Sequence, residues 1–158
     1  MKNVFYYNTK IGRIAIEENG TTITKLYFLN EGMEEEIIEK NETLLLKEAI
    51  KQINEYLDGK RTSFDLPLAS DGTEFQKKVW NALKEIPCGE TRSYGEIAKI
   101  IGNEKASRAV GMANNKNPIL IIVPCHRVIG ANGKLVGYAG GIGVKEYLLN
   151  LEKKHVRS

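Results

Sequence analysis

The chain has 158 residues, of which 42% are hydrophobic and 27% charged, and its formal net charge is +3. This composition is typical of one or two globular domains and excludes a disordered, collagen-like or coiled-coil protein. No apolar run approaches the roughly 20 residues of a membrane-spanning helix, and the N-terminus lacks a signal-peptide pattern. With 2 cysteines and 2 histidines, the chain has neither a disulfide framework nor a multi-histidine metal site. We expect reduced thiols and a cytoplasmic protein.

The charge divides unevenly along the chain. Residues 1–70 hold 9 basic and 12 acidic residues, whereas residues 71–158 hold 14 and 8. A basic C-terminal half indicates a polyanionic partner such as nucleic acid, although many proteins divide their charge in this way.

The first part of the chain predicts a small antiparallel sheet followed by a helix. Three segments rich in β-branched and aromatic residues predict strands, over residues 4–7, 12–17 and 22–28. Asn19-Gly20 predicts a two-residue hairpin turn between the second and third strands. After an acidic loop at 31–39, apolar residues at helical spacing predict a helix over 44–57 that ends at Asp58-Gly59.

A polar, turn-forming stretch at 69–72 follows an extended piece at 64–68 and predicts a domain boundary. We therefore expect two domains, 1–70 and 71–158. The fold class is α/β, with a sheet and helix in the first domain and a mostly helical second domain.

The second domain predicts four helices around a short strand. Capping-box patterns open helices at Thr73 and Ser93, and a third helix over 105–115 has small side chains. The second and third helices, joined by Gly102-Asn103, outline a helix-turn-helix. A buried strand at 119–123 and a closing helix at 142–154 complete the predicted elements.

Cys125 is the first candidate for chemistry, because it follows the buried strand and lies between Pro124 and His126. A cysteine attacks as the thiolate, and His126 and Arg127 are expected to favour that form. The alternative is a buried structural cysteine beside a surface histidine, since neighbours in a strand point to opposite faces. The pair by itself leaves both interpretations open.

The surrounding motifs narrow the choice. The string from Asn117-Pro118 through four apolar residues and Val123 to Pro-Cys-His-Arg-Val resembles the active-site signature of the O6-alkylguanine-DNA alkyltransferases. The segment 89–95 resembles the opening of that family's helix-turn-helix, and 107–111 resembles its recognition helix. The segment 137–141 resembles its guanine-pocket loop, and 145–152 resembles its closing helix. The resemblance spans residues 73–154. Residues 1–70 resemble the family's variable first domain only in their strand-then-helix pattern, which implies a ribonuclease-H-like support domain.

The resemblance implies DNA repair by direct damage reversal. The methyl or other alkyl group of O6-alkylguanine, and of O4-methylthymine, would move irreversibly to Cys125 without a cofactor. The partner would be double-stranded DNA carrying alkylated guanine, with no membrane involved, and the protein would act once as a monomer. Residues 1–70 contain no Cys or His, so the zinc site of some family members is not expected here.

The resemblance also implies a role for each matching residue. Cys125 would accept the alkyl group, His126 would draw off the thiol proton through a water, and Glu152 would orient the imidazole. Asn117 would support the turn, and Tyr94 would protonate the leaving guanine. Pocket and DNA contacts would come from a larger set: backbone groups of Cys125, Val128 and Ala139, the ring of Tyr138, the intercalating Arg108, and the DNA-facing Ser93, Ala106, Ser107, Ala109 and Gly111. Ala139 stands where some members have serine.

Three alternatives remain open. A non-catalytic lesion-binding relative would share the fold but lack the active cysteine, which is present here. A helix-turn-helix regulator would read bases with polar side chains, whereas the helix at 105–115 offers chiefly Ala, Gly and one Arg. A Cys-His hydrolase would leave the basic helix-turn-helix unexplained. Small residues in that helix also suit tight helix packing.

Overall fold

The computed structural model describes residues 2–29 and 40–157. The acidic segment at 31–39 lies outside the described residues. The chain forms two compact units, one up to Asp71 and the other from Gly72. In the described part of the chain, no helix is long and apolar enough to cross a membrane.

The first unit is a three-stranded antiparallel sheet with one helix, as predicted. The strands β1 (Asn3–Thr9), β2 (Gly12–Glu18) and β3 (Ile23–Phe28) lie in the order β1-β2-β3. The helix α1 (Leu44–Leu57) packs on β1 and β2 and buries one apolar face. Thr43 begins the helix because its hydroxyl accepts a hydrogen bond from the Leu46 amide.

The hairpin between β2 and β3 differs from the prediction. Glu18 pairs with Ile23, so the connection has four residues, 19–22, rather than the two of an Asn-Gly turn. The Asn19 side chain explains the longer loop, because its Oδ1 accepts from the amides of Thr21 and Thr22 at 3.1 and 2.9 Å.

The second unit is mainly helical. Its helices are α2 (Glu74–Lys84), α3 (Tyr94–Ile100), α4 (Ser107–Asn115) and α5 (Ile142–Arg157). Both predicted capping boxes are present, Thr73 with Gln76 and Ser93 with Glu96. A two-residue parallel pair, β4 (Arg92–Ser93) with β5 (Val128–Ile129), was not predicted.

The recognition-like helix α4 begins two residues later than predicted. Ala106 precedes its first turn and caps it with no side-chain hydrogen bond, while the Ala106 amide donates to the Asn103 carbonyl. Residues 103–106 therefore form a separate turn before the helix.

The predicted strand at 119–123 is wrong, although its burial is confirmed. All five residues are buried, but they form tight turns in which the Val123 amide donates to the Ile119 carbonyl. Ile121 has a φ of +70°, a strained value for a β-branched residue. Asn117 takes the place of a strand partner, since its side chain bonds the amide of Ile119 and the carbonyl of Val123.

Candidate active site

Cys125 lies at the start of a single 3-10 turn, Cys125–Arg127, which we call the cysteine turn. Only 2% of Cys125 is exposed. Asn117 supports the approach to this turn, because its Nδ2 donates to the Val123 carbonyl at 2.8 Å and to the Ile119 carbonyl at 3.3 Å. The turn directs the side chains of Cys125 and His126 differently from a strand, so strand alternation does not separate them.

His126 and Glu152 form a buried pair. The His126 Nε2 lies 2.6 Å from the Glu152 Oε2, and both side chains are almost fully buried. Glu152 comes from α5, whose inner face contacts the cysteine turn. A carboxylate at Nε2 holds the proton on that nitrogen, so Nδ1 carries the free lone pair. In the described part of the chain, His126 Nδ1 has no hydrogen-bond partner.

Arg127 completes this arrangement in a way that the sequence did not reveal. Its Nε donates to Glu152 Oε1 at 2.8 Å and its Nη2 to Oε2 at 2.9 Å, while Nη1 donates to the Ile86 carbonyl at 2.6 Å. This is the two-pronged geometry that arginine makes with carboxylates. Glu152 is therefore fixed by two residues of the cysteine turn at once.

Gly89 allows α5 to come this close. A Cβ atom at Gly89 would lie 2.6 Å from Val156 Cγ2, and its φ of +88° favours glycine. Its amide also donates to Glu152 Oε1 at 3.5 Å. The glycine of the 89–95 motif thus has a packing role at the base of the site.

The resting site holds a neutral thiol and a neutral imidazole. Burial raises the pKa of Cys125 to about 11, even though Asn117 and the Lys145 charge act in the opposite direction. Burial also lowers the pKa of His126, against the effect of Glu152. The expectation that His126 and Arg127 favour a resting thiolate is therefore wrong. Arg127 directs its charge to Glu152.

Glu152 remains ionised in this buried setting. Burial by itself would raise its pKa, but the hydrogen bonds and charges of His126 and Arg127 outweigh that effect and lower the pKa to about 2. The carboxylate is thus available to stabilise an imidazolium at His126.

Lys145 is a second residue that the sequence analysis missed as a site residue. It is buried on α5, and its Nζ donates to the carbonyls of Val128, Val136 and Gly137 at 2.6, 3.0 and 3.4 Å. Burial lowers its pKa, whereas the negative charge that Cys125 carries when ionised raises it. Lys145 lies two turns before Glu152 on the same stripe of α5, together with the buried Leu148 and Leu149. A lysine on an apolar stripe is the signal that could have indicated this role.

The loop before α5 lies against the cysteine turn. The Tyr138 ring meets that of His126 edge-on, with centroids 6.4 Å apart. The Tyr94 hydroxyl donates to the Val136 carbonyl at 3.1 Å, so Val136 receives bonds from Tyr94 and Lys145. Burial raises the pKa of Tyr94, and the negative charge that Cys125 carries when ionised adds to this effect. Ala139 is exposed.

Helix α4 divides its small residues between two faces. Ala106 and Ala113 are buried, and α4 packs on α2 and α3. Arg108 and Ala109 are exposed, whereas Gly111 lies near the Tyr94 ring. Helix packing thus accounts for part of the small-residue pattern, and an exposed surface bearing one arginine accounts for the rest.

The remaining predicted residues lie as follows. Ser93 is half-exposed, and its hydroxyl caps α3. Ser107 is half-exposed at the start of α4. Cys88, the second free cysteine, is half-buried in the loop after α2. Among the described residues, no group of His, Cys, Asp and Glu is arranged to hold a metal ion.

Comparison with protein families decides the identity. The 6-O-methylguanine DNA methyltransferase DNA-binding domain matches residues 74–154, and the ribonuclease-like domain of the same enzymes matches residues 4–70. The chain belongs to the 6-O-methylguanine DNA methyltransferase family. The family that the motifs indicate is confirmed, and so is the mixed α/β fold class.

Individual members of the methyltransferase family are similar in sequence to this chain over two thirds of its length or more. The methylated-DNA–protein-cysteine methyltransferase of Methanosarcina barkeri is 51% identical over 159 residues, which cover 96% of this chain and 99% of the relative. That of Methanosarcina acetivorans is 72% identical over 106 residues, covering 67% and 68%. Such names favour a methyltransferase over the non-catalytic alternative.

A solved methyltransferase has the same fold. The crystal structure of Mycobacterium tuberculosis O6-methylguanine methyltransferase has a TM-score of 0.90 and 47% identity, covering 98% of this chain and 94% of that one. The same bacterium's enzyme in complex with DNA has a TM-score of 0.89, covering 97% and 94%.

Proposed function

We propose that Cys125 is the residue that accepts the alkyl group in this methyltransferase. As a member of its family, the chain repairs alkylated DNA by direct reversal of the damage. The observation that carries the assignment is the buried sequence of groups from Cys125 through His126 to Glu152, with His126 Nε2 held 2.6 Å from the carboxylate. Cys125 is the nucleophile, His126 the base and Glu152 the carboxylate that orients the base, as in other covalent catalysis.

The transfer is balanced in atoms and charge. The Cys125 sulfur forms a bond to the methyl carbon as the bond from that carbon to guanine O6 breaks. The thiol proton passes through one water to His126 Nδ1, and Glu152 stabilises the imidazolium that results. The products are a thioether and unmodified guanine. We extend the same chemistry to larger O6-alkyl groups and to O4-methylthymine, because both present an alkyl carbon on a ring oxygen.

Tyr94 supplies the proton that the leaving guanine needs. Its pKa is raised by burial, so the hydroxyl stays protonated at neutral pH and acts as a donor. In the resting protein this hydroxyl donates to Val136, so binding of the base must exchange one acceptor for another. His126 then returns its proton to Tyr94 through the active-site water, which restores both groups.

The pocket and the DNA surface belong to the second unit. Tyr138 forms one wall for the base, and backbone groups of Cys125, Val128 and Ala139 read its edge. A buried thiol reaches a base only after that base rotates out of the duplex, and Arg108 fills the space left behind. Further DNA contacts come from α4 and the start of α3, through Ser93, Ser107, Ala109 and Gly111. Ala106, which the resemblance placed among the DNA-facing residues, is buried before the first turn of α4 and makes no such contact.

We also propose how the protein works in the cell. It acts on double-stranded DNA carrying alkylated guanine, as a monomer, because one chain supplies every group in the reaction. Its reduced thiol suits the cytoplasm.

Residues 1–70 form a ribonuclease-H-like domain that supports residues 71–158, which bind DNA and carry the chemistry. The protein is used once, since no described group can cleave a thioether.

Intact-protein mass spectrometry after incubation with O6-methylguanine DNA tests this assignment. Wild type and Cys88→Ser should each gain one methyl group, mapped by peptide analysis to Cys125. Cys125→Ser should bind the DNA and gain none, because a serine hydroxyl remains protonated and is a poor nucleophile. Methyl on Cys88, or several turnovers on excess DNA, would contradict the proposal.

A further inference from the structure

Asn114 is a buried polar residue in the last turn of α4 for which the proposed mechanism has no use. It is only 1% exposed, and its Nδ2 donates to the backbone carbonyl of Cys125 at 3.3 Å. Its Oδ1 is buried and, among the described residues, has no hydrogen-bond partner. A half-satisfied buried amide is unfavourable for folding, so its presence beside the reactive cysteine points to a role in the site.

The contact is made to the nucleophile itself. The Cys125 carbonyl also accepts from the Val128 amide, which closes the cysteine turn. Asn114 therefore fixes the same carbonyl from the side of α4, whereas Asn117 fixes the segment before it through Val123. A three-residue turn has few internal bonds of its own. His126 and Arg127 hold the far side of the turn through Glu152, so the two amides hold the side that carries the Cys125 backbone.

The orientation of Cys125 matters for the transfer step. Displacement at a methyl carbon requires sulfur, carbon and oxygen to lie in line, and a displacement of about 1 Å can cost on the order of 10²-fold in rate. Asn114 also lies on the helix that carries Arg108, six positions further along. The helix that faces DNA is thus bonded directly to the nucleophile's backbone.

We infer that Asn114 is a positioning residue for alkyl transfer, which holds the Cys125 backbone from the DNA-facing helix. This role rests on the proposed function, because it requires Cys125 to be the acceptor. It differs from that of Arg108, since orientation of the sulfur affects every substrate, whereas base extrusion affects duplex DNA alone.

Single-turnover kinetics separate this role from a structural one. In these experiments the amplitude measures the folded, active fraction, and the rate constant at saturating DNA measures transfer. Asn114→Leu and Asn114→Ala should each lower the rate constant at least tenfold, both with methylated duplex and with free O6-methylguanine base. The amplitude, the DNA concentration at half-saturation and the Tm should stay near wild type. Asn81→Leu, which removes an exposed asparagine from α2, is the matched control and should react as wild type.

Two results would overturn the inference. One is a wild-type rate constant in both Asn114 variants, or a loss confined to amplitude and Tm, which indicates that the residue only stabilises the fold. The other is slowing with duplex DNA alone, which assigns Asn114 to DNA binding. Failure of the proposed function is distinguishable, because the wild-type protein itself would then retain no methyl on Cys125.

Discussion

Arg127 binds both carboxylate oxygens of Glu152, at 2.8 and 2.9 Å, while the same carboxylate accepts a hydrogen bond from His126 Nε2. Adjacent residues of the cysteine turn thus share one buried acid from α5. The arrangement keeps Glu152 ionised and His126 Nδ1 free to accept a proton. It leaves the Cys125 thiol protonated until the reaction begins, because the charge of Lys145 does not offset the burial of the sulfur.

The pH dependence of transfer follows from this neutral resting site. With a thiol pKa of about 11, a reaction through free thiolate would accelerate about tenfold per pH unit between about pH 7 and 9. Proton removal by neutral His126, whose pKa lies below its usual value, predicts a flat profile over that range. Single-turnover rates on methylated duplex measure it. The His126→Asn variant should transfer the methyl group more slowly, and its rate should rise about tenfold per pH unit. A wild-type rate that rises as steeply would argue against His126 as the base.

Glu152 should control stability in acid. Its pKa falls from 4.5 in the unfolded chain to about 2 in the fold, so it stabilises the protein above about pH 4.5 by about 3 kcal/mol. That contribution is lost as the pH falls towards 2, because protonation then weakens the bonds to His126 and Arg127. Urea denaturation between pH 7 and 2 should show this decline. Glu152→Gln should be less stable by about 3–5 kcal/mol at pH 7 and decline less between pH 4.5 and 2.

Lys145 should control the placement of the loop before α5. Lys145→Met keeps much of the side-chain volume but removes the donor to Val128, Val136 and Gly137. Because the loop carries Tyr138, we expect transfer to slow by about 10–100-fold with duplex and free base alike. Lys153→Met, an exposed lysine on the same helix, is the control. Equal activity of the two variants would show that the three carbonyl contacts do not matter for the reaction.

Arg108 should act on base extrusion rather than on methyl transfer. It is exposed on α4. Arg108→Ala should therefore slow repair of duplex DNA, by about tenfold for each 1.4 kcal/mol of lost compensation for unstacking. Reaction with free O6-methylguanine should be unchanged. Equal slowing on both substrates would assign Arg108 a structural or catalytic role instead.

The sequence by itself determined the elements whose signals are local. The capping boxes at Thr73 and Ser93 form as predicted, because a cap bonds residues three positions apart. The motif around Cys125 also indicated the family correctly, and with it the type of reaction. These conclusions needed no knowledge of how the chain packs.

Tertiary structure decided which groups serve the cysteine. Arg127 and Lys145 find their partners 25 and 17 residues away in the chain, so their spacing in the sequence carries no sign of the contact. The apolar run at 119–123 is equally compatible with a strand and a buried turn, because hydrophobicity reports burial and not backbone direction. The Asn117 side chain selects the turn by bonding its backbone. The protonation state of Cys125 likewise depends on burial, which is a property of the folded chain alone.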